Sequence, residues 1–553
     1  MADLPSDDKK SDPLLRALGK IGEGSGFLWK IFIISIIPAI FSGMHAVSYV
    51  FTAEIPSHWC ELKELTLANW SKENVKSISS ASSCTFYNYN YTYFVEIGYA
   101  EALKYTKEHT FPESLKCTNF LFGNELDRKS MVEEWGLVCE KSHQRATVQM
   151  ALSLGKTIGA ISFGTLSDKF GRKKSFIIGV MLSTLSGPLS AIVPWYWAFI
   201  FLRLVIGSSH TAILSATYTI LTEVAGNKHR EWMGTAYNCG YPIGTIILTG
   251  IAYLSYDWRQ IQLTCSLIPL ILILFIWFLP ESPRWLISKG RREEARDIIE
   301  KTYGKIIQDN TRISISTIES TVMKSIKLKS ERNKKINSFY RNFQSLKLLC
   351  SHPELRKRSA IMSFCWLVAS MAYYALALNG TNFSVNSYLY TFLLGLTEIP
   401  SYLLPIPLLM AMGRRTSTSL LYFISSFALL SILVIPESEK NIIMVAGLMG
   451  RFAISAVFGV IILYTCELFP TVTRNTAFGT SSGMSHFGSI SAPLIVDILG
   501  SKAWWAPSTF CAFFVLFAGI LSLTLPETKG RELTNTVEEE LQESKKFEKS
   551  LCC

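Results

Sequence analysis

The sequence predicts an all-α membrane protein, with twelve transmembrane helices in two pseudo-symmetric six-helix halves. Three observations predict it. Only 18% of the residues are charged, where a soluble domain carries about a quarter. The apolar residues are clustered: at least ten windows of about 20 residues hold few or no charges, long enough to cross about 30 Å of hydrocarbon. The clearest are 31–53, 175–200, 262–280, 416–436 and 509–525, and weaker windows bring the number to twelve. Backbone in lipid must satisfy its own hydrogen bonds, which makes each window a helix. Finally, the second half repeats landmarks of the first.

Those landmarks keep nearly one offset. GRK at 171–173 returns as GRR at 413–415, 242 residues later. Glu223, with Arg230 seven residues on, returns as Glu467 and Arg474, 244 residues later. LPES at 279–282 returns as LPET at 525–528, 246 residues later.

Taken in order, residues 1–27 form a polar head expected in the cytoplasm. The first span is about 24 residues long and no small-residue cleavage site follows it, so it reads as an anchored helix and not a removed signal peptide. Residues 54–143 form a long polar loop within the N-terminal half, 28–280. Cys60, Cys84, Cys117 and Cys139 in that loop predict two disulfides by any of three pairings. Glycosylation sequons stand there at Asn69 and Asn90, and two more, at Asn379 and Asn382, follow span 7. All belong outside the cell. The linker, 281–357, is basic, with a helical pattern in RREEARDIIEKTYGKI; the stretch 281–358 holds 19 Lys and Arg against 9 Asp and Glu. The loop SDKFGRKK at 167–174 is basic too. Lys and Arg collect in cytoplasmic loops, so the net charge of +11 is read as topology and not as nucleic-acid binding. The C-terminal half, 358–526, leads into a charged tail, 527–553, expected in the cytoplasm. Its Cys552 and Cys553 are either palmitoylation sites or an adventitious pair.

A duplicated bundle with basic cytoplasmic loops is the plan of a secondary transporter, whose substrate binds near the midplane between rocking halves. Asp168 and Arg172 lie at the inner ends of spans 2 and 3, Glu223 and Arg230 close span 4, and Glu467 and Arg474 close span 10. These charges are expected to pair across the halves on the cytoplasmic side, holding an outward-open state. The alternative is ordinary interfacial charges. There is no Walker loop, metal-spaced His/Cys cluster or nucleophile elbow, which argues against an enzyme, an ATP-driven pump and a bound cofactor or metal.

The motifs carry a resemblance. GTLSDKFGRKK (164–174) resembles the loop signature of the major facilitator superfamily, and PESPRWL (280–286) and PETKGREL (526–533) resemble its sugar and organic-ion porters. The cysteine-containing first loop, EIPSHWC (54–60) and CELFPTVTRN (466–475) are similar to the organic cation, carnitine and organic anion transporter family. The resemblance covers essentially the whole chain. It implies the major facilitator fold and alternating-access transport of small organic ions across the plasma membrane.

It also implies cavity positions. LTEIPSY (396–402) resembles cation and carnitine members in having Glu398, whose carboxylate would attract a cationic head group or else be paired for structure. His486 stands where cation members have aspartate and anion and carnitine members arginine; Tyr241 is its repeat equivalent on span 5. His45 resembles anion members. Trp366, Tyr373 and Tyr374 on span 7 match cavity positions and, with Tyr237 and Tyr241 on span 5, would form a partial aromatic box that attracts ammonium groups. Asn238 would add a hydrogen-bonding tip, and Tyr218 and Phe458 would complete the walls. Lys156 is expected to snorkel to the cytoplasm from about two turns inside span 2, with pairing to Asp168 or reach into the cavity as alternatives. The mixture favours organic cations or zwitterions, carnitine-, betaine- or amine-like. Rivals are an organic anion exchanger and a non-transporting receptor or scaffold. The partners expected are a small organic ion, a possible co-transported or exchanged ion and the lipid bilayer, around a monomer.

Overall fold

Twelve helical columns follow one another among the described residues. They are Gly26–Val47 (span 1), Ser142–Phe170 (span 2), Arg172–Ile192 (span 3), Tyr196–Val224 (span 4), Asn227–Asn238 with Gly240–Leu254 (span 5), and Trp258–Leu267 with Ile271–Phe278 (span 6). The second half has Pro353–Leu378 (span 7), Ser387–Ser401 with Pro405–Met412 (span 8), Arg414–Ser431 (span 9), Lys440–Leu468 (span 10), Thr471–Gly500 (span 11) and Ala506–Leu523 (span 12). The computed structural model describes residues 23–123, 128–303, 347–380 and 386–530, with single residues at 14, 18, 383, 534 and 539.

Seven columns are long and apolar enough to cross a membrane by composition alone, and span 8, bent by 42°, makes eight. Spans 2, 5, 9 and 11 fall short. Three of them have reason to: spans 2 and 11 pack on each other across the halves through faces that hold serine, glycine and charge, and span 5, which packs on span 8, is cut at Cys239 to an apolar piece of 15 residues. The apolar window 175–200 proves to be two helices. The chain turns at residues 193–195, between spans 3 and 4, where Pro194 has no N–H to continue a helix.

The long first loop folds as a small domain. Strand β1 (Ser57–Cys60) pairs antiparallel with β5 (Phe120–Gly123), and β2 (Ser80–Ser82), β3 (Thr85–Tyr87) and β4 (Ser114–Lys116) form a second sheet. Cys60 is bonded to Cys117 and Cys84 to Cys139, which selects one of the three pairings. Trp59, Leu65, Val75, Ile78, Tyr91 and Phe94 give the domain its own core. Asn69 and Asn90 are exposed, and Asn90 caps the helix Tyr91–Ile97. Asn379 is buried and donates to Ser508 Oγ at 2.9 Å, so it is no glycan acceptor. Asn382, residues 304–346, Cys552 and Cys553 lie outside the described residues. The linker's helical pattern is present as Arg292–Tyr303. Below, the face carrying the disulfide domain is the loop side and the opposite face the linker side.

Candidate functional site

On the linker side the repeat becomes a repeated piece of chemistry. At the start of span 3, Glu281 accepts hydrogen bonds from the backbone N–H groups of Arg172 (2.9 Å) and Lys173 (3.2 Å). At the start of span 9, Glu527 accepts from those of Arg414 (2.8 Å) and Arg415 (3.0 Å). Each carboxylate thus satisfies orphan donors at the positive end of a helix. The preceding residues, Gly171 and Gly413, have φ of +111° and +86°, and each glutamate carboxylate occupies the space of the missing Cβ. Arg172 pairs with Glu223 at 3.1 Å and with Asp168 at 3.1 Å, while Arg414 pairs with Glu467 at 2.8 Å. Arg230 donates to the carbonyls of Thr222 and Ala225, and Arg474 to that of Phe469, closing the C-terminal ends of spans 4 and 10. Beside this cluster, burial pushes the Arg284 guanidinium below its ordinary pKa, and the positive charge of Arg230 acts the same way. The six expected gating residues are therefore brought together, but within each half. In this state each acid lies beside the arginine of its own half, in two self-contained clusters; the cross-half pairing is expected of the outward-open state, a different one.

The bonds that do cross between the halves lie nearer the loop side. Arg145 on span 2 pairs with Asp497 on span 11 at 3.0 Å, with both side chains under a tenth exposed. Tyr49 donates to the same carboxylate at 2.8 Å. Deeper in, Ser153 donates to the carbonyl of Ser489 at 3.3 Å. Phe51 stacks on Tyr388 with ring centroids 5.0 Å apart. Past Ser153 and Ser489, towards the linker side, Gly164, Gly479 and Gly483 meet no atom within 4 Å of where a side chain would begin. Spans 2 and 11 are thus held at the loop side and part below it. Sequence reasoning missed this seal, although Asp497 in LIVDILG, a carboxylate in an apolar run, was a signal.

At mid-depth the C-terminal half holds a buried ion pair. Glu398 and Arg451 meet at 3.0 Å, each side chain 2% exposed. Tyr373 and Tyr402 donate to Glu398 at 2.5 and 2.8 Å, and Arg451 also donates to the carbonyl of Tyr373. The carboxylate expected to attract a cation is thus neutralised and fully bonded. Arg451, in the apolar stretch GLMGRFAIS, was a legible partner that went unread.

An aromatic chain lines the interface beside this pair. Trp366 lies 6.0 Å from Phe458, Phe458 5.6 Å from Tyr373, Tyr373 5.2 Å from Tyr374, and Tyr241, across the interface, 6.4 Å from Tyr373. Trp366 donates to Thr465 at 3.1 Å, which fixes the indole. Tyr237 does not join them. Span 5 breaks at Cys239, since Pro242 cannot donate to the carbonyl of Asn238. Tyr237 packs against Tyr218 instead, with tilted rings 5.0 Å apart, and Asn238 donates its amide to the carbonyl of Gly234 at 3.3 Å.

The histidines separate. His45 is buried within the N-terminal half, its Nε2 3.2 Å from the carbonyl of Cys265 and its ring 4.8 Å from that of His210. His486 is half-buried at the middle of span 11, within electrostatic reach of Lys156. Lys156 lies 14 residues from either end of span 2, and its Nζ stands 5.8 Å from the ring centre of Tyr374 on span 7. The expected snorkelling fails because span 2 runs on to Phe170, twice as far as the two turns assumed.

Outside the seal is a second recess, lined by Glu54, Arg128, Tyr256, Asp257 and Tyr388 among others. Burial raises the pKa of Glu54 there, opposed by Arg128 and Arg145.

Residues 78–539 match the family described as sugar (and other) transporter. The chain is 29% identical over 526 residues to the organic cation transporter protein of Drosophila melanogaster, covering 94% of this chain and 93% of that one. It is 32% identical over 419 residues to human solute carrier family 22 member 2, covering 75% and 72%. It is 28% identical over 573 residues to the beta-alanine transporter of Drosophila melanogaster, covering 98% and 90%. In fold it is similar to the inward-open conformation of the xylose transporter XylE from E. coli, with a TM-score of 0.61 at 15% identity, covering 93% of this chain and 99% of that one.

Proposed function

The chain belongs to the sugar (and other) transporter family, among the solute carrier 22 transporters of organic ions, and on that premise we propose that it is a plasma-membrane carrier for small zwitterions or amines. The single observation that carries the reading is the aromatic chain of Trp366, Phe458, Tyr373, Tyr374 and Tyr241 at the interface of the halves, on the open side of the loop-side seal. Such faces attract an ammonium group by about 0.5–2 kcal/mol each. The relatives' names support an organic ion and include one zwitterion, β-alanine. A simple cation fits less well than sequence suggested, because Glu398 is already neutralised by Arg451. The second reading is an organic anion exchanger, favoured by Lys156, which has no acid within ion-pair distance among the described residues.

The basic linker supports a cytoplasmic linker side and, with twelve spans between them, cytoplasmic termini. The disulfide domain with Asn69 and Asn90 is then outside, and the state described is inward-facing, sealed by Arg145 and Asp497. The carrier works as a monomer, by facilitated diffusion or coupled to a second ion.

The test is uptake by voltage-clamped oocytes of radiolabelled carnitine, histamine, a quaternary ammonium and an aromatic carboxylate, at pH 5.5 and 7.5. Carnitine or an amine is expected to enter, and Trp366→Ala to lower that uptake. Entry of the aromatic carboxylate alone establishes the anion reading instead. No entry of any probe, with the protein shown at the surface, would falsify the transport reading for this panel and favour a receptor.

A further inference from the structure

We propose that Lys156 is the specificity-determining charge of the central chamber and takes the carboxylate of the cargo. The proposal rests on the transport reading above and deepens it.

The position of Lys156 leaves its ammonium little choice. At 1.5 Å per residue, 14 residues are about 21 Å of helix to either end of span 2. A lysine side chain reaches about a third of that, so it cannot carry its charge to the water at either face. Its charge is felt by His45 and His210 in its own half. Its Nζ crosses the interface to the face of Tyr374 on span 7, within electrostatic reach of His486 on span 11. Three spans, from both halves, thus surround one ammonium at mid-depth.

No carboxylate among the described residues lies within ion-pair distance of it. The carboxylate nearest in kind, Glu398, is bound by Arg451, Tyr373 and Tyr402. A second cation stands behind. Arg203 on span 4 is fully buried, and its side-chain hydrogen bonds go to Ser48 Oγ at 3.3 and 3.4 Å and not to an acid. Among the described residues the chamber therefore has a net positive field and no free protein anion to balance it. Once the halves close over the chamber, a charge there is unfavourable until something of opposite sign meets it. The cargo is the group left to do so. Its carboxylate would sit against Lys156 and His486, and its apolar or ammonium end would extend along Tyr374, Tyr373 and Phe458. The same field would hold a bare organic cation less well than a zwitterion, leaving the aromatic faces as its main attraction.

The test uses the full-length protein and the variants Lys156→Met, Lys156→Arg and Lys156→Glu. Two readouts are taken: uptake by oocytes, and ligand-induced thermal stabilisation of purified protein. The probes are carnitine, salicylate and tetraethylammonium. For at least one of the two carboxylates, Lys156→Met is expected to raise KM about tenfold to a hundredfold, the factor for losing one charged hydrogen bond. Lys156→Arg should restore most of it, and Lys156→Glu should turn preference towards tetraethylammonium. A purely structural lysine would lower uptake of every probe alike and leave their ratios unchanged, which overturns the proposal. Unchanged carboxylate KM in Lys156→Met also overturns it, while the carrier reading stands. Tetraethylammonium transport by the wild type without binding of either carboxylate overturns it in the same way. Absence of both binding and uptake for every probe overturns the proposal and the carrier reading together.

Discussion

In the C-terminal half the buried arginine of span 10, Arg451, meets Glu398 at 3.0 Å; in the N-terminal half the buried arginine of span 4, Arg203, one turn off the repeat register, has no acid within ion-pair distance among the described residues and donates to the hydroxyl of Ser48. At the linker side the same two halves agree almost atom for atom. Gly171, Arg172, Glu223 and Glu281 recur as Gly413, Arg414, Glu467 and Glu527, with the same helix start capped by the same carboxylate. Where the halves match, they share a mechanical role, since each bundle is locked as a rigid unit able to rock against the other. Where they differ, the role is not shared. The C-terminal half neutralises its buried charge and packs aromatic rings on it, while the N-terminal half contributes cations without acids. Cargo selection is thus laid on an asymmetric middle between symmetric ends.

The sharpest way to break that comparison is to remove the two arginines in turn. Losing one partner of a buried pair leaves an uncompensated charge and costs about 3–5 kcal/mol. Arg451→Met is therefore expected to lower thermal stability of the purified protein severely, and Glu398→Gln together with Arg451→Met to recover part of it. Arg203→Met removes a buried charge that no acid balances, and is expected to be neutral or stabilising. Equal losses from Arg203→Met and Arg451→Met, read by thermal unfolding in detergent, would show that Arg203 has a counter-charge after all and end the asymmetry.

Next in size is the loop-side seal. Arg145→Ala leaves Asp497 buried with only the Tyr49 hydroxyl. The state closed on that side should lose about tenfold or more in population against its alternative, since even 1.4 kcal/mol of a buried pair is worth that factor. Labelling of Ser153→Cys by an impermeant maleimide, added from outside to cells, should rise accordingly. No change in labelling would mean that Phe51 and Tyr388 hold the halves without the ion pair.

The symmetric ends predict matched effects. Gly171→Ala and Gly413→Ala each force a side chain into positive φ and against a capping carboxylate. Each is expected to cost about 1–2 kcal/mol, and the two losses of thermal stability should agree. A large difference would mean that the capped starts of spans 3 and 9 are alike in geometry but not in load.

These pairings show what the sequence could and could not carry. The repeat was legible because a glycine at positive φ, an arginine and two glutamates form one local device whose parts keep their spacing, although whether they pair within or across halves is a tertiary fact. The aromatic span 7 was legible, since Trp366 and Tyr373 lie two turns apart on one face. Tyr237 and Tyr241 share a face only on an unbroken helix, and Pro242 was the unread warning. Glu398 could be seen as costly, but its partner lies 53 residues away, on a different span. Lys156 was misplaced for a simpler reason: it was set about two turns from the inner end of span 2, whereas the helix continues through polar residues to Phe170.

The smallest effect expected is at Asn238, the residue that ends the first segment of span 5. Its side-chain amide donates to Gly234, one turn back on its own helix, at 3.3 Å. A bond of that kind is worth about 0.5–1.5 kcal/mol net, and it leaves the amide turned to its own backbone and away from the chamber. Asn238→Ala should therefore lower stability slightly and leave KM and the ratio of carboxylate to ammonium uptake unchanged. The comparison of halves gives the result its meaning. Span 11, the repeat partner of span 5, brings His486 to the interface at mid-depth within reach of Lys156. If Asn238→Ala alters selectivity more than stability, then the broken span 5 also delivers a polar group to cargo in another state of the cycle, and the N-terminal half selects by more than its cations.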